Sequence, residues 1–198
     1  MGLSVAGRRE TLAHNFLHRS AFLLRVSGGS PKRTALYASH LQTDAKMVDF
    51  HGFELPIWFS SIQEEHLATR SAAGLFDVSH MGEFVLRGPE ALDLIQHVSV
   101  NDASKIEVGQ AQYSAMALES GCVVDDLLIY RFADRYMLVV NASNLAKDLA
   151  WIRQHAQSYD VRIEDESDQT GLLALQGPAA REILRPLANP NVDEVTYY

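Results

Sequence analysis

Three short segments that follow one another closely are the strongest constraint on the fold of this chain. Residues 112–118, 123–132 and 135–140 have the alternating or continuous apolar character of strands, and only Glu-Ser-Gly and Ala-Asp turns separate them. Connections this short join antiparallel neighbours, because a parallel pair needs a longer crossover. The sequence therefore predicts an antiparallel meander over residues 112–140.

A pair of adjacent acids stands near the start of the middle strand. Residues 121–126 read Gly-Cys-Val-Val-Asp-Asp, and an apolar run over residues 127–130 follows. A buried strand tolerates carboxylates poorly, because an ionised group removed from water must find a partner or shift its pKa. Two interpretations stay open: the acids face solvent at a strand end, or one is held in a pocket to recognise or polarise a substrate nitrogen.

Two strands and a helix are predicted before the meander. Residues 47–59 read as strand, turn and strand, with Pro56 expected at a sheet edge. Ser61 and Glu64 form a capping-box pattern, in which both side chains satisfy free backbone amides, and the helix should end at Gly74.

A further helix and strand are predicted after the meander. Ser143 is placed to cap the helix, and Leu145, Leu149 and Ile152 follow at i, i+4 and i+7. Residues 161–163 then read as a strand.

A strand, Gly-Pro and helix unit occurs twice. Residues 83–87 alternate as a half-buried strand, followed by Gly-Pro and an apolar helix, and residues 172–178 repeat the strand and the Gly-Pro. Because Gly-Pro is also a common helix opener, the recurrence indicates either a weak internal repeat or a coincidence. If it is a repeat, the second copy stops at Tyr198 and the chain is the front portion of something longer.

Charge is distributed unevenly along the chain. Residues 1–34 contain six of the 17 Lys and Arg residues and one of the 25 acids, so the other 164 residues carry 11 basic and 24 acidic side chains, a net charge of −13. This surface should repel a phosphate backbone, and no nucleic-acid partner is expected. Residues 1–34 have the composition of an organellar transit peptide, or they are a disordered extension or the product of a start codon assigned too early.

Composition narrows the class of protein further. The hydrophobic content of 47% and the charged content of 21% are typical of a globular domain. The single Cys122 excludes an intrachain disulfide and a Cys-rich zinc site, and it favours a reducing compartment. No apolar run approaches bilayer-spanning length, so no membrane partner is expected. Asp77 and His80 lack an evident third ligand, so no metal site is predicted.

Several linked motifs resemble a known family. In order and spacing they strongly resemble the aminomethyltransferase of the glycine cleavage system, also called T-protein, over about residues 35–185. The segments that carry this resemblance are Leu-Tyr at 36–37, Met-Val-Asp-Phe-His-Gly-Phe at 47–53, Phe-Asp-Val-Ser-His-Met-Gly at 76–82, Gly-Cys-Val-Val-Asp-Asp-Leu at 121–127, Leu-Val-Val-Asn-Ala at 138–142, Lys-Asp-Leu at 147–149 and Leu-Gln-Gly-Pro at 175–178.

The resemblance implies an α+β fold built from duplicated, strand-exchanged ferredoxin-like subdomains around a folate channel, followed in the family by a C-terminal β-barrel. It places the folate-binding domain at residues 35–198, with the first subdomain at about 47–156 and the start of the second at about 160–198. The second subdomain would be truncated and the barrel absent. Residues 1–34 would then be a disordered or targeting extension.

The resemblance also implies an activity. Members of the family act in glycine catabolism by transferring the methylene of the aminomethyl-lipoyl arm of H-protein to tetrahydrofolate, with release of ammonia. Tetrahydrofolate would be the co-substrate and lipoylated H-protein the partner. The expected location is the bacterial cytoplasm, or the mitochondrial matrix if residues 1–34 are a transit peptide.

Individual residues match the family's site. Asp126 matches an essential aspartate set against the folate nitrogens, and Asn141 matches a residue that hydrogen-bonds the pterin. Asp125 is expected to shape the turn. The positions that line the folate pocket are matched by Met81, Tyr113 and Val139.

Some features depart from the family pattern or leave alternatives open. Gly121-Cys122 stands where Gly-Gly is common, and the family's later Gly-Tyr-Thr-Gly-Glu segment and folate-binding arginines are absent. One alternative is a folate-dependent demethylase or the folate module of a dimethylglycine- or sarcosine-type dehydrogenase. Another is a non-enzymatic folate-binding factor of iron–sulfur assembly, against which the intact Val-Val-Asp-Asp argues.

The resemblance yields a prediction for the 198-residue chain on its own. Because half of a subdomain would be missing, we expect weak or no folate binding, no activity and some self-association through exposed apolar surface. Titration calorimetry with folate, combined with a measurement of oligomeric state, tests this expectation. Tight binding by a clean monomer would contradict it.

Overall fold

A computed structural model describes residues 30–188, 191–195 and 197. The chain divides into two compact units, residues 1–59 and 60–198. Most of the predicted extension, residues 1–29, lies outside the described residues. The end of that extension, Lys32–Arg33, forms a short strand. The subdomain boundaries at about 47–156 and 160–198 stay a prediction.

The described part of the first unit is a small sheet with one helical turn. Its elements are β1 (Lys32–Arg33), α1 (Tyr37–Leu41), β2 (Lys46–Phe50) and β3 (Phe53–Trp58). The strand order is β1-β3-β2, with β1 parallel and β2 antiparallel to β3. The predicted strand, turn and strand over residues 47–59 is confirmed.

The turn between β2 and β3 and the position of Pro56 follow from backbone geometry. His51 and Gly52 have φ values of 52° and 84°, the left-handed pair that a two-residue hairpin turn requires. Although β3 is the middle strand, β1 pairs only with Phe53 and Glu54. Pro56 therefore lies beyond the reach of the third strand, where its missing N–H leaves no ladder hydrogen bond unmade.

The second unit contains the remaining helices and strands. Its helices are α2 (Ile62–Ser71), α3 (Ala91–Val98), α4 (Leu145–His155) and α5 (Ala180–Leu184). Its strands are β4 (Gly74–Asp77), β5 (Gly82–Arg87), β6 (Ala111–Ala117), β7 (Val123–Arg131), β8 (Tyr136–Val140), β9 (Arg162–Asp165) and β10 (Leu173–Gln176). Among the described helices, none combines the length and the apolar character that a membrane crossing requires.

Five of these strands form one antiparallel sheet in the order β6-β7-β8-β5-β9. Strands β4 and β10 form a separate antiparallel pair. The meander predicted over residues 112–140 is confirmed as β6, β7 and β8. The α+β class is also confirmed, whereas the duplicated, strand-exchanged arrangement stays a prediction.

The core lies on one face of the five-stranded sheet. Inward side chains of β5 to β8 join side chains of α3 and α4 in one buried cluster. The fully buried members include Phe84, Leu86, Leu94, Ile95, Met116, Ile129, Leu138, Val140 and Ile152. Apolar residues at i, i+3 and i+4 on the helices meet alternate residues on the strands, which is how an amphipathic helix covers a sheet.

Strand β5 departs from the sequence prediction. We expected residues 83–87 to alternate as a half-buried strand, yet residues 82–86 are all buried. Glu83 and Val85, on the face opposite the helices, are each only 1% exposed. The prediction was wrong because β5 is an interior strand of the sheet and both of its faces are covered. The presence of one acid, Glu83, does not indicate that its face is exposed to solvent.

The two helix starts predicted from capping residues differ in outcome. Ser61 Oγ accepts a hydrogen bond from the Glu64 amide at 3.2 Å, as expected. The predicted helix end at Gly74 was wrong, because α2 ends at Ser71 and Gly74 begins β4. Ser143 is not the cap of α4, because it lies within a 3-10 turn over Ala142–Asn144 that precedes the helix.

The two Gly-Pro segments share a local geometry. Gly88 and Gly177 have φ values of 134° and 113°. A Cβ on Gly88 would lie 2.3 Å from the Asp160 carbonyl oxygen, and one on Gly177 would lie 2.6 Å from the Ala72 carbonyl oxygen. Each glycine is thus required both for its backbone conformation and for a close backbone contact.

We predict that Gly88→Ala destabilises the protein much more than Gly121→Ala. Both glycines have positive φ, so both substitutions introduce strain of about 1–2 kcal/mol. Only Gly88 meets a backbone atom, which adds about 1–3 kcal/mol, whereas a Cβ on Gly121 meets nothing within 4 Å. Urea unfolding of the two variants measures the difference, and equal losses of stability would show that the close contact is unimportant.

Candidate functional site

Three of the residues predicted for the site, Tyr113, Asp126 and Val139, lie on the face of the five-stranded sheet opposite α3 and α4. Tyr113 pairs with Leu128, Leu128 pairs with Val139, and Val139 pairs with Glu83. Because directly paired residues point to the same side, these four side chains form one row across β6, β7, β8 and β5. The row runs from Tyr113, which is 55% exposed, to the buried Glu83.

Asp126 lies next to this row and is held by two donors. It pairs with Ala115 on β6 and is half-buried. The Tyr113 hydroxyl donates to Asp126 Oδ2 at 2.6 Å, and Asn141 Nδ2 donates to Oδ1 at 2.7 Å. Each carboxylate oxygen therefore has its own donor, which fixes the plane of the carboxylate. The acid does not simply face solvent at a strand end.

Asn141 connects both acids. Its Nδ2 also donates to Asp125 Oδ1 at 3.1 Å and approaches the Asp126 carbonyl oxygen at 3.4 Å. The amide cannot be reversed, because its carbonyl oxygen would then face two carboxylates. The N–H groups of Asn141 are thus committed to the acids, and its Oδ1 remains as an acceptor.

The two apolar residues predicted for the site, Val139 and Met81, lie at different places relative to the sheet. Val139 is 4% exposed and lies in the row between Leu128 and Glu83. Met81 directly precedes β5, and its amide donates to the Val78 carbonyl oxygen at 3.0 Å. Because Gly82 pairs with Val140, Met81 lies at the same end of the sheet as Asn141.

Asp125 differs from its expected place. It lies inside β7, paired with Met116, and not in the turn. Its neighbour Asp126 points to the opposite face because side chains alternate along a strand. Burial raises the pKa of the Asp125 carboxyl, but the neighbouring polar groups of Asp148, Asn144 and Asn141 outweigh burial and lower that pKa.

Asp148 was not singled out from the sequence. It lies in the first turn of α4, and its side chain is fully buried. Burial, and then the hydrogen bond and charge of Asp125, raise the pKa of Asp148 to about 7, although Lys147 acts in the opposite direction. The signal was present: Asp148 stands at i+3 from Leu145, on the helical face that carries the apolar residues.

Glu83 is a second buried acid that the sequence pattern did not reveal. It is 1% exposed, and neither of its carboxyl oxygens has a hydrogen-bond partner among the described residues. Burial and then the charge of Asp165 raise its pKa to about 7. Its position in phase with the buried Val85 was the available signal.

The Ser79 hydroxyl, a possible nucleophile close to Met81 in the chain, has a structural role. The Ser79 hydroxyl donates to the Leu172 carbonyl oxygen at 3.2 Å and accepts from the Leu172 amide at 3.0 Å, so it joins two backbone segments. In the part of the chain that the structure describes, no group of three or more His, Cys, Asp or Glu side chains is arranged to hold a metal ion.

The arrangement suits a flat polar ligand with N–H groups. Asp126 presents a fixed negative charge, Asn141 presents a carbonyl oxygen, and Tyr113 presents an exposed ring beside them. A carboxylate held by two donors keeps its remaining lone pairs for a ligand, and it needs no reorganisation to stabilise positive charge there. This is the kind of site that binds and orients an amine.

The chain matches known proteins over most of its length. The family described as GCVT N-terminal domain matches residues 36–198. An aminomethyltransferase of Symbiobacterium thermophilum is 58% identical over 163 residues, which cover 80% of this chain and 44% of that protein. An aminomethyltransferase of Thermus thermophilus is 51% identical over 164 residues, which cover 82% of this chain and 47% of that protein.

A solved structure is similar in fold as well. The glycine cleavage system aminomethyltransferase T from Bartonella henselae superimposes with a TM-score of 0.79 at 35% sequence identity, covering 85% of this chain and 46% of that one. The chain therefore spans about half the length of the relatives that it matches.

We predict that Glu83→Gln stabilises the protein at pH 8 relative to wild type, and much less at pH 5. Because the pKa of Glu83 rises from 4.5 to about 7 on folding, the folded state holds the proton more tightly, and stability is lost as pH rises between these values. The difference between the two proteins should grow by about 2 kcal/mol from pH 5 to pH 8. Urea unfolding at both pH values measures it.

The matched control is Glu119→Gln, which changes an exposed acid in the turn between β6 and β7. It gives the baseline against which the pH dependence of Glu83→Gln is compared. A Glu83→Gln protein with the same pH dependence as wild type would show that Glu83 is ionised in the folded state.

Proposed function

Because this chain belongs to the GCVT N-terminal domain family, we propose that the complete protein is an aminomethyltransferase of the glycine cleavage system. It transfers the methylene of the aminomethyl-lipoyl arm of H-protein to tetrahydrofolate. The observation that carries the proposal is the carboxylate of Asp126, held between Tyr113 and Asn141 on one face of the sheet. Relatives named aminomethyltransferase at 51% and 58% identity support it.

The reaction changes bonds without a change in oxidation level. The carbon–sulfur and carbon–nitrogen bonds of the arm break, and two carbon–nitrogen bonds to tetrahydrofolate form. The two protons that leave the folate nitrogens end on the lipoyl sulfur and on the departing ammonia. A folate nitrogen carries positive charge while the methylene is being attached, so a nearby fixed anion lowers the barrier.

Asp126 is the residue proposed for this role. Its two donors hold its carboxylate in one orientation, and its remaining lone pairs accept from the folate N–H groups. It thereby orients the nucleophilic nitrogen and stabilises the charge that develops there. This assignment makes Asp126 the catalytic residue of the chain.

The surrounding residues are proposed to hold the pterin. Asn141 Oδ1 accepts from a pterin N–H, since its Nδ2 is engaged by the acids. Tyr113 offers an aromatic face, Val139 an apolar wall and Met81 a polarisable thioether, which suit a flat heterocycle. Tyr113 therefore has two roles, because its hydroxyl also holds Asp126.

The partners follow from the reaction. Tetrahydrofolate is the co-substrate, and lipoylated H-protein presents the second substrate. The bacterial relatives support the bacterial cytoplasm as the location. The names of the relatives favour this function over a demethylase, a dehydrogenase module or an iron–sulfur assembly factor. A substrate panel separates them, because only the aminomethyltransferase uses the lipoyl-bound substrate.

We predict that Asp126→Ala lowers kcat of the complete protein at least about 10²-fold, the usual effect of removing a positioned electrostatic group. Asp126→Asn should lose a similar factor because it keeps the shape and removes the charge. The assay is tetrahydrofolate-dependent release of ammonia from aminomethyl-lipoyl H-protein.

Glu119→Ala is the control, because it removes an exposed acid from the turn between β6 and β7. It should leave kcat unchanged. Unchanged turnover in the Asp126→Ala protein would refute the assignment of Asp126, and an inactive wild-type protein would refute the proposed function itself.

A further inference from the structure

The buried acid on α4 poses a problem that the proposed function does not address. No N–H or O–H of the described residues donates to either carboxyl oxygen of Asp148. Lys147 Nζ lies 3.7 Å from Asp148 Oδ1, beyond hydrogen-bond distance, and donates instead to the Val124 carbonyl oxygen at 2.5 Å. An ionised carboxylate in this position would be buried without a donor, which is strongly unfavourable.

The neighbouring group that, after burial, raises the pKa of Asp148 is itself an acid, Asp125. Lys147 Nζ, close to Asp148, donates to the carbonyl oxygen of Val124, the residue before Asp125, and so places the two acids in the same buried region. Asp125 Oδ2 is also buried and receives no donor from the described residues. Two ionised carboxylates repel each other where water and donors are excluded, so this arrangement favours a proton on one of them. Asp125 already accepts from Asn141, which favours its charged form and leaves the proton on Asp148.

The pair connects directly to the proposed catalytic carboxylate. Asp148 acts on the charge of Asp125, Asn141 donates to both Asp125 and Asp126, and the Tyr113 hydroxyl donates to Asp126. One Asn141 nitrogen thus joins the helix-covered face of the sheet to the face that carries the site. The orientation of that amide depends on a single, well-placed charge on Asp125.

We propose that Asp148 is a positioning residue that keeps one proton in the Asp125–Asp148 pair and so fixes the Asn141 amide that holds Asp126. The inference rests on the proposed function for its effect on catalysis. When the proton is lost, two negative charges meet in the buried pair. The pair then separates, and Asn141 loses the acceptor that orients it.

The proposal predicts a loss of activity toward alkaline pH. Among the described residues, the charged groups that act on Asp148 are Asp125 on β7, which raises its pKa, and Lys147 on α4, which lowers it. The pKa of Asp148 is raised to about 7, so the proton is held below that pH and lost above it. The stabilisation of the transition state by Asp126 should weaken over the same pH range.

The first experiment tests the proton without using activity. Infrared difference spectra compare the 198-residue chain with its Asp148→Asn variant at pH 6 and at pH 9. We expect the variant to lose the carbonyl band of a protonated carboxyl group at pH 6 and to lose only carboxylate bands at pH 9. Loss of carboxylate bands alone at both pH values would overturn the proposal.

The second experiment measures kcat and KM of the complete protein between pH 6 and pH 9. Asp148→Asn keeps an uncharged donor, so it should retain activity within about threefold at pH 7 and lack the alkaline decline. Asp148→Leu has no donor and should lose about 10- to 100-fold in kcat/KM, as expected when a buried acceptor is left unpaired. Thermal unfolding of each variant separates this loss from a failure to fold.

Asp93→Asn is the matched control, since Asp93 is an exposed acid in the first turn of α3, as Asp148 is a buried one in the first turn of α4. It should keep the wild-type pH profile. An Asp148→Asn protein that keeps the wild-type alkaline decline would overturn the positioning role. An inactive wild-type protein with the expected infrared bands would refute the proposed function and leave the shared proton established.

Discussion

The alternation of side chains along β7 is the constraint on which the site depends. Asp125 and Asp126 are neighbours in the chain, yet the pleat of the strand sends them to opposite faces of one sheet. The first acid enters the helix-covered side, and the second lies beside Tyr113 on the other side. Both remain within reach of Asn141, because that residue follows the last paired residue of β8.

Carboxyl groups on the two faces of the sheet have different surroundings. On the site face, Asp126 has a donor for each of its carboxylate oxygens. On the helix face, Asp148 has an acid for a partner, and burial favours its protonated form. Glu83 also lies on the site face, but at its buried end, where no described donor reaches it. The positioned carboxylate of Asp126 therefore differs from the carboxyl groups of Asp148 and Glu83, which burial drives toward neutrality.

The fold provides the rigidity that such a site needs. Short turns join β6, β7 and β8, which are three strands of the five-stranded sheet. Helices α3 and α4 pack their apolar residues against one face of this sheet. Because Tyr113, Asp126 and Val139 are on adjacent paired strands, their spacing is set by strand geometry and not by a loop. The segment that matches this chain covers about half of the length of each of the two bacterial relatives.

Much of the fold could be predicted from local patterns. The alternation of residues 112–140, the short turns and the Ser61 cap depend on interactions between residues close in the chain, and the structure bears them out. The half-buried interpretation of residues 83–87 failed because burial of the second face depends on what packs there. Ser143 failed as a cap because a 3-10 turn precedes α4. Such features involve groups that local propensity does not describe.

By itself, the sequence determined the strand order of the meander, the α+β class and the identity of the acids beside the apolar run. Only the tertiary structure decided which acid lies beside Tyr113, which one raises the pKa of Asp148 and how Asn141 bridges the two. The physical reason is that a carboxyl group's charge state depends on its donors and on its exclusion from water. Those donors come from different strands and from α4, and the chain brings them together only when it folds.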